Sequence, residues 1–84
     1  MEKRIGMVGI VIEDLSATEQ VNNVLHNFAT LFLGRMGIPY RERGVSVITL
    51  IVDGTNDEIS AITGKLGRIA GVSVKSMITK SKNK

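Results

Sequence analysis

The 84-residue sequence predicts an α+β domain in the order βαββαβ, and three observations carry that expectation. An apolar run followed by a helix-start pattern occurs twice: Ile5 to Glu13 with Ser16-Ala17-Thr18-Glu19, and Val45 to Asp53 with Thr55-Asn56-Asp57-Glu58. Both starts read as capping boxes. In each, the hydroxyl accepts from the backbone N–H three positions on, while the glutamate reaches back to the N–H of the cap. Both helical patterns also run to a glycine, Gly34 and Gly71, a residue that takes the left-handed conformation ending a helix without a Cβ penalty.

The elements follow in order. The first strand, Arg4 to Glu13, carries Ile5, Met7 and Val11 on one face and Val8, Ile10 and Ile12 on the other, so neither face is polar. The first helix, Thr18 to Leu33, sets Val21, Val24, Leu25, Phe28, Leu31 and Phe32 at helical spacing, with Asn22, Asn23, His26, Asn27 and Thr30 opposite. In the segment Arg35 to Gly44, Pro39 has no N–H to donate, which permits an edge strand and not a central one; Gly44 suits the turn into the next strand. The third strand, Val45 to Asp53, is apolar on both faces: Val45, Val47 and Ile51 against Ile48, Leu50 and Val52. The second helix, Asn56 to Ala70, buries Ile59, Ile62, Leu66 and Ile69. Its flank of Ser60, Gly64 and Gly67 marks either a close approach by another backbone or a locally loose helix. The last strand, Val72 to Ile78, alternates Val72, Val74 and Ile78 against Ser73 and Lys75, as an edge strand with one buried face does.

Right-handed crossovers then place both helices on one face of a four-stranded antiparallel sheet with the first and third strands in the middle, the ferredoxin-like fold. Residues 1–79 form the single domain and residues 80–84, with Lys80, Lys82 and Lys84, a basic, frayed tail.

Composition narrows the function classes. Hydrophobic residues make up 43% of the chain and aromatic ones 4%, so the core is aliphatic. Cysteine is absent, which excludes disulfides, thiolate metal sites and cysteine nucleophiles. No apolar stretch nears the ~20 residues that span a bilayer, and Met1-Glu2-Lys3-Arg4 runs into a strand without signal-peptide architecture. The expectation is a cytoplasmic protein without membrane contact. At a net charge of +3, with dispersed basic residues, direct sequence-specific DNA binding is not expected.

The chemistries that this fold hosts fail one by one. RNA recognition needs aromatic residues on the central strands, and these have none. A soft-metal carrier needs a cysteine pair after the first strand. Phosphate chemistry needs a cradling loop there, whereas Glu13-Asp14-Leu15-Ser16 is acidic. Asp14 and Asp53 close equivalent strands before helices, where turn chemistry and charge at a helix start account for them. His26 reads as a surface residue; only two copies meeting across a symmetric interface supply it with a partner. Arg35, Arg41 and Arg43 are a solvated edge or the seat of an anionic ligand. No catalytic residue, metal ligand or cofactor is expected.

One physical argument points to assembly. Two helices cover one face of the sheet, yet the central strands are apolar on both. An uncovered apolar face of that size marks an interface, with ~800 Å² per partner contributing at ~25 cal/mol per Å². Val8, Ile10, Ile12, Ile48, Leu50 and Val52 are assigned to it, with their opposite-face neighbours as the other choice, and the chain is expected to be a dimer or tetramer.

The run Ile51-Val52-Asp53-Gly54, its helix, and Ile69-Ala70-Gly71-Val72-Ser73-Val74-Lys75 resemble the carboxy-terminal ligand-sensing domain of nickel-responsive repressors, part of the wider ACT-like fold. Gly37-Ile38 is similar to the Gly-Ile step that ACT domains show after their first helix. The chain as a whole resembles the small stand-alone family of iron-only hydrogenase system regulators. The resemblance implies an oligomeric sensing scaffold; a pocket between subunits, lined by Asp14, Leu15, Ser16, Ile38, Tyr40 and Arg41, would favour the sensing of a small-molecule effector. A flush interface would instead make it an adaptor for a protein partner. Two departures matter. The nickel family's strand ligands fall here on Ile38, Tyr40 and Ser46, which do not hold nickel, and the DNA-gripping ribbon-helix-helix has no counterpart.

Overall fold

In the computed structural model, which describes residues 2–80, the sheet runs β2-β3-β1-β4. Its strands are β1 (Lys3–Ile12), β2 (Phe32–Tyr40), β3 (Val45–Thr55) and β4 (Val72–Ile78), with helices α1 (Thr18–Asn27) and α2 (Asn56–Gly67) between them. Every pairing is antiparallel. The two strands that read as apolar on both faces are central, and the Pro39-bearing strand lies at an edge. The tail expected at 80–84 lies outside the described residues except for Lys80.

Side-chain parity decides what the helices cover. Even-numbered residues of β1 and β3 turn toward α1 and α2, and Val8, Ile10, Ile12, Ile48, Leu50 and Val52 pack with Val21, Leu25, Ile59, Ile62 and Leu66 into one core. This corrects the interface assignment made from the sequence. Those six side chains are nearly or completely buried inside the domain and reach no partner; their odd-numbered neighbours face outward. Period-2 alternation leaves no third arrangement once one face is chosen. Gly6 shows how tightly that face is closed, because a Cβ there would sit 3.0 Å from the Met77 carbonyl oxygen and 3.1 Å from Ile59 Cδ1.

The second capping box forms as expected. Thr55 Oγ1 accepts from the Glu58 N–H at 3.1 Å, and Glu58 Oε1 accepts from the Thr55 N–H at 2.8 Å. The first does not form. Ser16 donates both its N–H and its hydroxyl to Asp14 Oδ1, so the hydroxyl that was to cap a helix belongs to a 3-10 turn, Leu15–Ala17. Helix α1 then starts behind Ala17, which has no side chain to cap with.

The first helix also stops short. It ends at Asn27, a 3-10 turn covers Ala29–Leu31, and Phe32 enters the sheet opposite Val52. The apolar spacing that reads as two further helical turns serves a turn and an edge strand, since pairing along β3 demands extended chain. Gly34 is accordingly no helix cap; it lies in β2 beside a bulge that leaves Leu33 64% exposed. Gly71 does take the left-handed conformation, at φ 81°, but beyond a looser turn after Gly67. In α2, Gly67 meets Val74 at an ordinary van der Waals distance, and Gly64 faces open space.

Candidate functional site

The candidate effector residues gather at one end of the sheet. Pro39 pairs with Ser46, Ser46 with Ile12, and Ile12 with Val72, so the end of β2 and the turn after β1 flank the start of β3, two strand spacings apart. At ~4.8 Å per spacing, that separation is ~10 Å.

The turn after β1 is held by its own polar atoms. The Gly71 carbonyl accepts from the N–H groups of Glu13, at 2.7 Å, and Asp14, at 3.1 Å. Asp14 Oδ1 accepts from the Ser16 hydroxyl at 2.8 Å and the Ser16 N–H at 3.0 Å, while Thr18 Oγ1 donates to the Leu15 carbonyl. The Ser16 hydroxyl, then its N–H, hold the Asp14 carboxyl below its usual range. Leu15 stands exposed at the tip, and Ser73 Oγ donates to Glu13 Oε1.

Across the gap, Arg41–Arg43 form a 3-10 turn closed by Gly44 in the left-handed conformation, and the Tyr40 hydroxyl bonds Glu42 Oε1 at 3.1 Å. Ile38 and Tyr40 pair with Val47 and Val45, which turns their side chains to the open face of the sheet. The structure therefore brings Asp14, Leu15, Ser16 and Arg41 to one end, and places Ile38 and Tyr40 at the margin between that end and the open face. Ser46 points the other way from Ile38 and Tyr40, so these three positions cannot converge on one ion. Among the described residues no group of three or more His, Cys, Asp or Glu side chains is placed to hold a metal. His26 is exposed on α1. Arg35, on β2, donates to Asn22 Oδ1 of α1 and so ties the edge strand to the helix.

The open face is the second candidate. Ile5, Met7, Ile51 and Met77 are 42–53% exposed on it, with Met36 and Ile38 on the β2 side. On its β4 side, a recess of about 540 Å³ opens over Gly9, Val11, Ser73, Val74 and Lys75. Another recess, of about 410 Å³ among Lys3, Arg4, Asp53, Thr79 and Lys80, lies at the opposite end of β1 from the Asp14 turn. Sequence reasoning did not single out Gly9; a glycine inside a strand pattern is the signal that marks it.

Sheet order, helix placement and connectivity define an ACT-like βαββαβ domain. The ACT domain of a GTP pyrophosphokinase from Chlorobium tepidum superposes with a TM-score of 0.73 at 23% identity, over 89% of this chain and 99% of that one. The C-terminal domain of MgtC from Mycobacterium tuberculosis gives 0.70 at 13%, over 90% and 87%. The particular family is narrower. Residues 4–76 match the TM1266-like family model, described as "Iron-only hydrogenase system regulator, putative", and the chain belongs to that family. The protein TM1266 of Thermotoga maritima, itself described as uncharacterized, is 44% identical over 94% of this chain and 100% of its own, with a TM-score of 0.89. No curated protein matches the sequence. Among the described residues no helix is long and apolar enough to cross a membrane.

Proposed function

We propose that the chain is a non-enzymatic regulatory domain of an iron-only hydrogenase system, a cytoplasmic homo-oligomer that takes a small-molecule effector between the Asp14–Ser16 turn and the Ile38–Arg41 segment. Family membership over residues 4–76 is the observation that carries this reading. The effector position is supported by the convergence of both segments at one end of the sheet. Glu13 and Asp14 stand on one side and Arg41 and Arg43 on the other, so a small polar molecule meets carboxylates and guanidinium groups together. Binding there competes with the hydrogen bonds that Ser16 makes to Asp14, which couples occupancy to the shape of the turn. This reading goes with regulation through a partner protein and without direct sequence-specific DNA binding.

Native mass spectrometry of untagged protein taken from its own cells tests the reading. The expected result is a retained small molecule that is lost on Arg41→Ala and Ser16→Ala. Protein that carries none, with hydrogenase regulation unchanged by both substitutions, would show an adaptor without an effector.

A further inference from the structure

We infer that the recess of about 410 Å³ at the start of β1 binds the phosphate group of a small hydroxyl-bearing molecule, with Lys3, Arg4 and Lys80 holding the phosphate and Asp53 meeting the organic part. This goes beyond the proposed effector position, which lies at the other end of the strand.

Residues from both ends of the described chain meet in this recess. The Ile5 carbonyl accepts the Thr79 N–H at 3.0 Å and the Thr79 hydroxyl at 2.9 Å, which fastens the end of β4 to the start of β1. Gly6 pairs with Ile78, and the same register carried two residues further sets Lys80 across from Arg4. On the other side of β1, Ile5 pairs with Asp53 and Lys3 with Thr55. Three segments distant in sequence therefore deliver their polar groups to one spot.

The cations there lack a counter-charge. Like charges set directly opposite each other on neighbouring strands destabilise the pairing, and Arg4 and Lys80 stand in that relation. Among the described residues, none of the side chains of Lys3, Arg4 and Lys80 makes a hydrogen bond or an ion pair, with Asp53 or with any other. Glu58 lies on the helix side, with its Oε1 against Gly54, the residue opposite Arg4, but that oxygen is committed to the Thr55 N–H. An anion seated in the recess relieves the repulsion that the fold itself leaves standing.

Chemistry selects the anion. The planar fork of an arginine grips an oxyanion through two parallel hydrogen bonds, while lysines act as point charges, a combination suited to phosphate. A polyanion is a poorer match, because its affinity comes from a track of many phosphate contacts and these cations are gathered in one recess. Asp53 narrows the class further. A carboxylate repels a second phosphate but accepts from a hydroxyl, so it suits the organic part of a monoester. Ile5, 44% exposed, offers that part an apolar wall, and the volume falls in the ~300–1,000 Å³ range of small-ligand sites.

Calorimetry and amide NMR titration of the full chain test the site, with ribose 5-phosphate, inorganic phosphate and unphosphorylated ribose as probes. Ribose 5-phosphate is expected to bind saturably, more tightly than inorganic phosphate, and to move the amides of Ile5, Thr79 and Lys80, while ribose does not bind. Arg4→Gln and Lys80→Gln together should weaken binding about tenfold or more with circular dichroism unchanged, and Lys80→Gln alone, beyond the last strand, should weaken it in the same direction. Arg68→Gln, an exposed cation just past α2, should leave it as it is. Asp53→Asn should tighten inorganic phosphate and narrow the preference for the sugar phosphate. No saturable binding of either phosphate up to about 10 mM overturns the inference. So does binding that the Arg4 and Lys80 substitutions leave intact, or a preference for a single-stranded oligonucleotide or for phosphatidylglycerol vesicles over ribose 5-phosphate, which would make these cations part of a polyanion-binding surface.

Discussion

Gly71 and Asp14 lie back to back: the Gly71 carbonyl accepts the Asp14 N–H, and a Cβ on Gly71 would collide with that of Asp14. The contact fastens the turn after β1 to the residue that launches β4, so the candidate effector turn is anchored at its base and exposed at its tip.

Gly71→Ala should therefore be costly twice over, through a φ of 81° and through the collision, by about 2 kcal/mol or more in urea denaturation. Gly44→Ala separates the two effects. Its φ is 66° but no atom lies near its Cβ position, so about 1 kcal/mol of conformational strain alone is expected. Equal losses at the two sites would show that the Asp14 contact contributes nothing.

The Asp14 carboxyl should titrate below its ordinary value of 3.8, chiefly because the Ser16 hydroxyl bonds the ionised form. With the folded pKa depressed, the stabilisation is present above the unfolded pKa and fades as pH falls through the folded one. Carboxyl-detected NMR titration is the measurement, and Ser16→Ala should move the midpoint upward. An unchanged midpoint would remove the hydroxyl as the cause.

Facing along the central strands makes a paired prediction. Ile10→Ala leaves a cavity in the core and should destabilise by about 2–5 kcal/mol at every protein concentration. Ile51→Ala lies on the open face, 42% exposed. It should change dilute-protein stability little and show its cost only at concentrations where copies associate.

Helix α2 depends on its cap. Thr55→Ala should cost about 1 kcal/mol in thermal or chemical unfolding. Ser16→Ala should leave α1 helicity essentially unchanged, because Ser16 does not cap that helix.

Nickel and zinc titrations by calorimetry should show no stoichiometric submicromolar binding. Ile38 and Tyr40 face one side of the sheet and Ser46 the other. Tight binding by untagged protein would instead bring His26 side chains together across an interface.

The fold was legible where two signals agreed. Central strands announced themselves by apolar residues on both faces, Pro39 marked an edge, and Thr55 with Glu58 marked a helix start that forms as written. Legibility failed where one pattern admits two geometries. Phe28, Leu31 and Phe32 keep helical spacing whether or not the chain stays helical, and pairing with β3 decided for a strand. Ser16 and Glu19 fit a capping box, but Asp14, two residues earlier, captured the hydroxyl. The facing of β1 and β3 was undetermined for the same reason. With isoleucine and valine on both sides, the sequence contains no polar row to say which side meets the helices. The Asp14–Ser16 and Ile38–Arg41 segments stand as a proposed effector site, and the direction in which Ile38 and Tyr40 point required the register of β2.

Strand β1 sits between β3 and β4, and Ile5 shares its carbonyl with both the N–H and the hydroxyl of Thr79, 74 residues away in sequence. During synthesis the strand leaves the ribosome before both of its neighbours, β3 and β4. Such non-local pairing is slow, and a β-rich apolar segment waiting unpaired is an aggregation hazard. Gly6 and Gly9 interrupt that segment every third residue, and glycines of this kind disfavour the tight side-chain stacking on which amyloid-like ribbons depend. Gly9, which no close contact inside the domain requires, is thus expected to keep the nascent chain from the wrong kind of stacking.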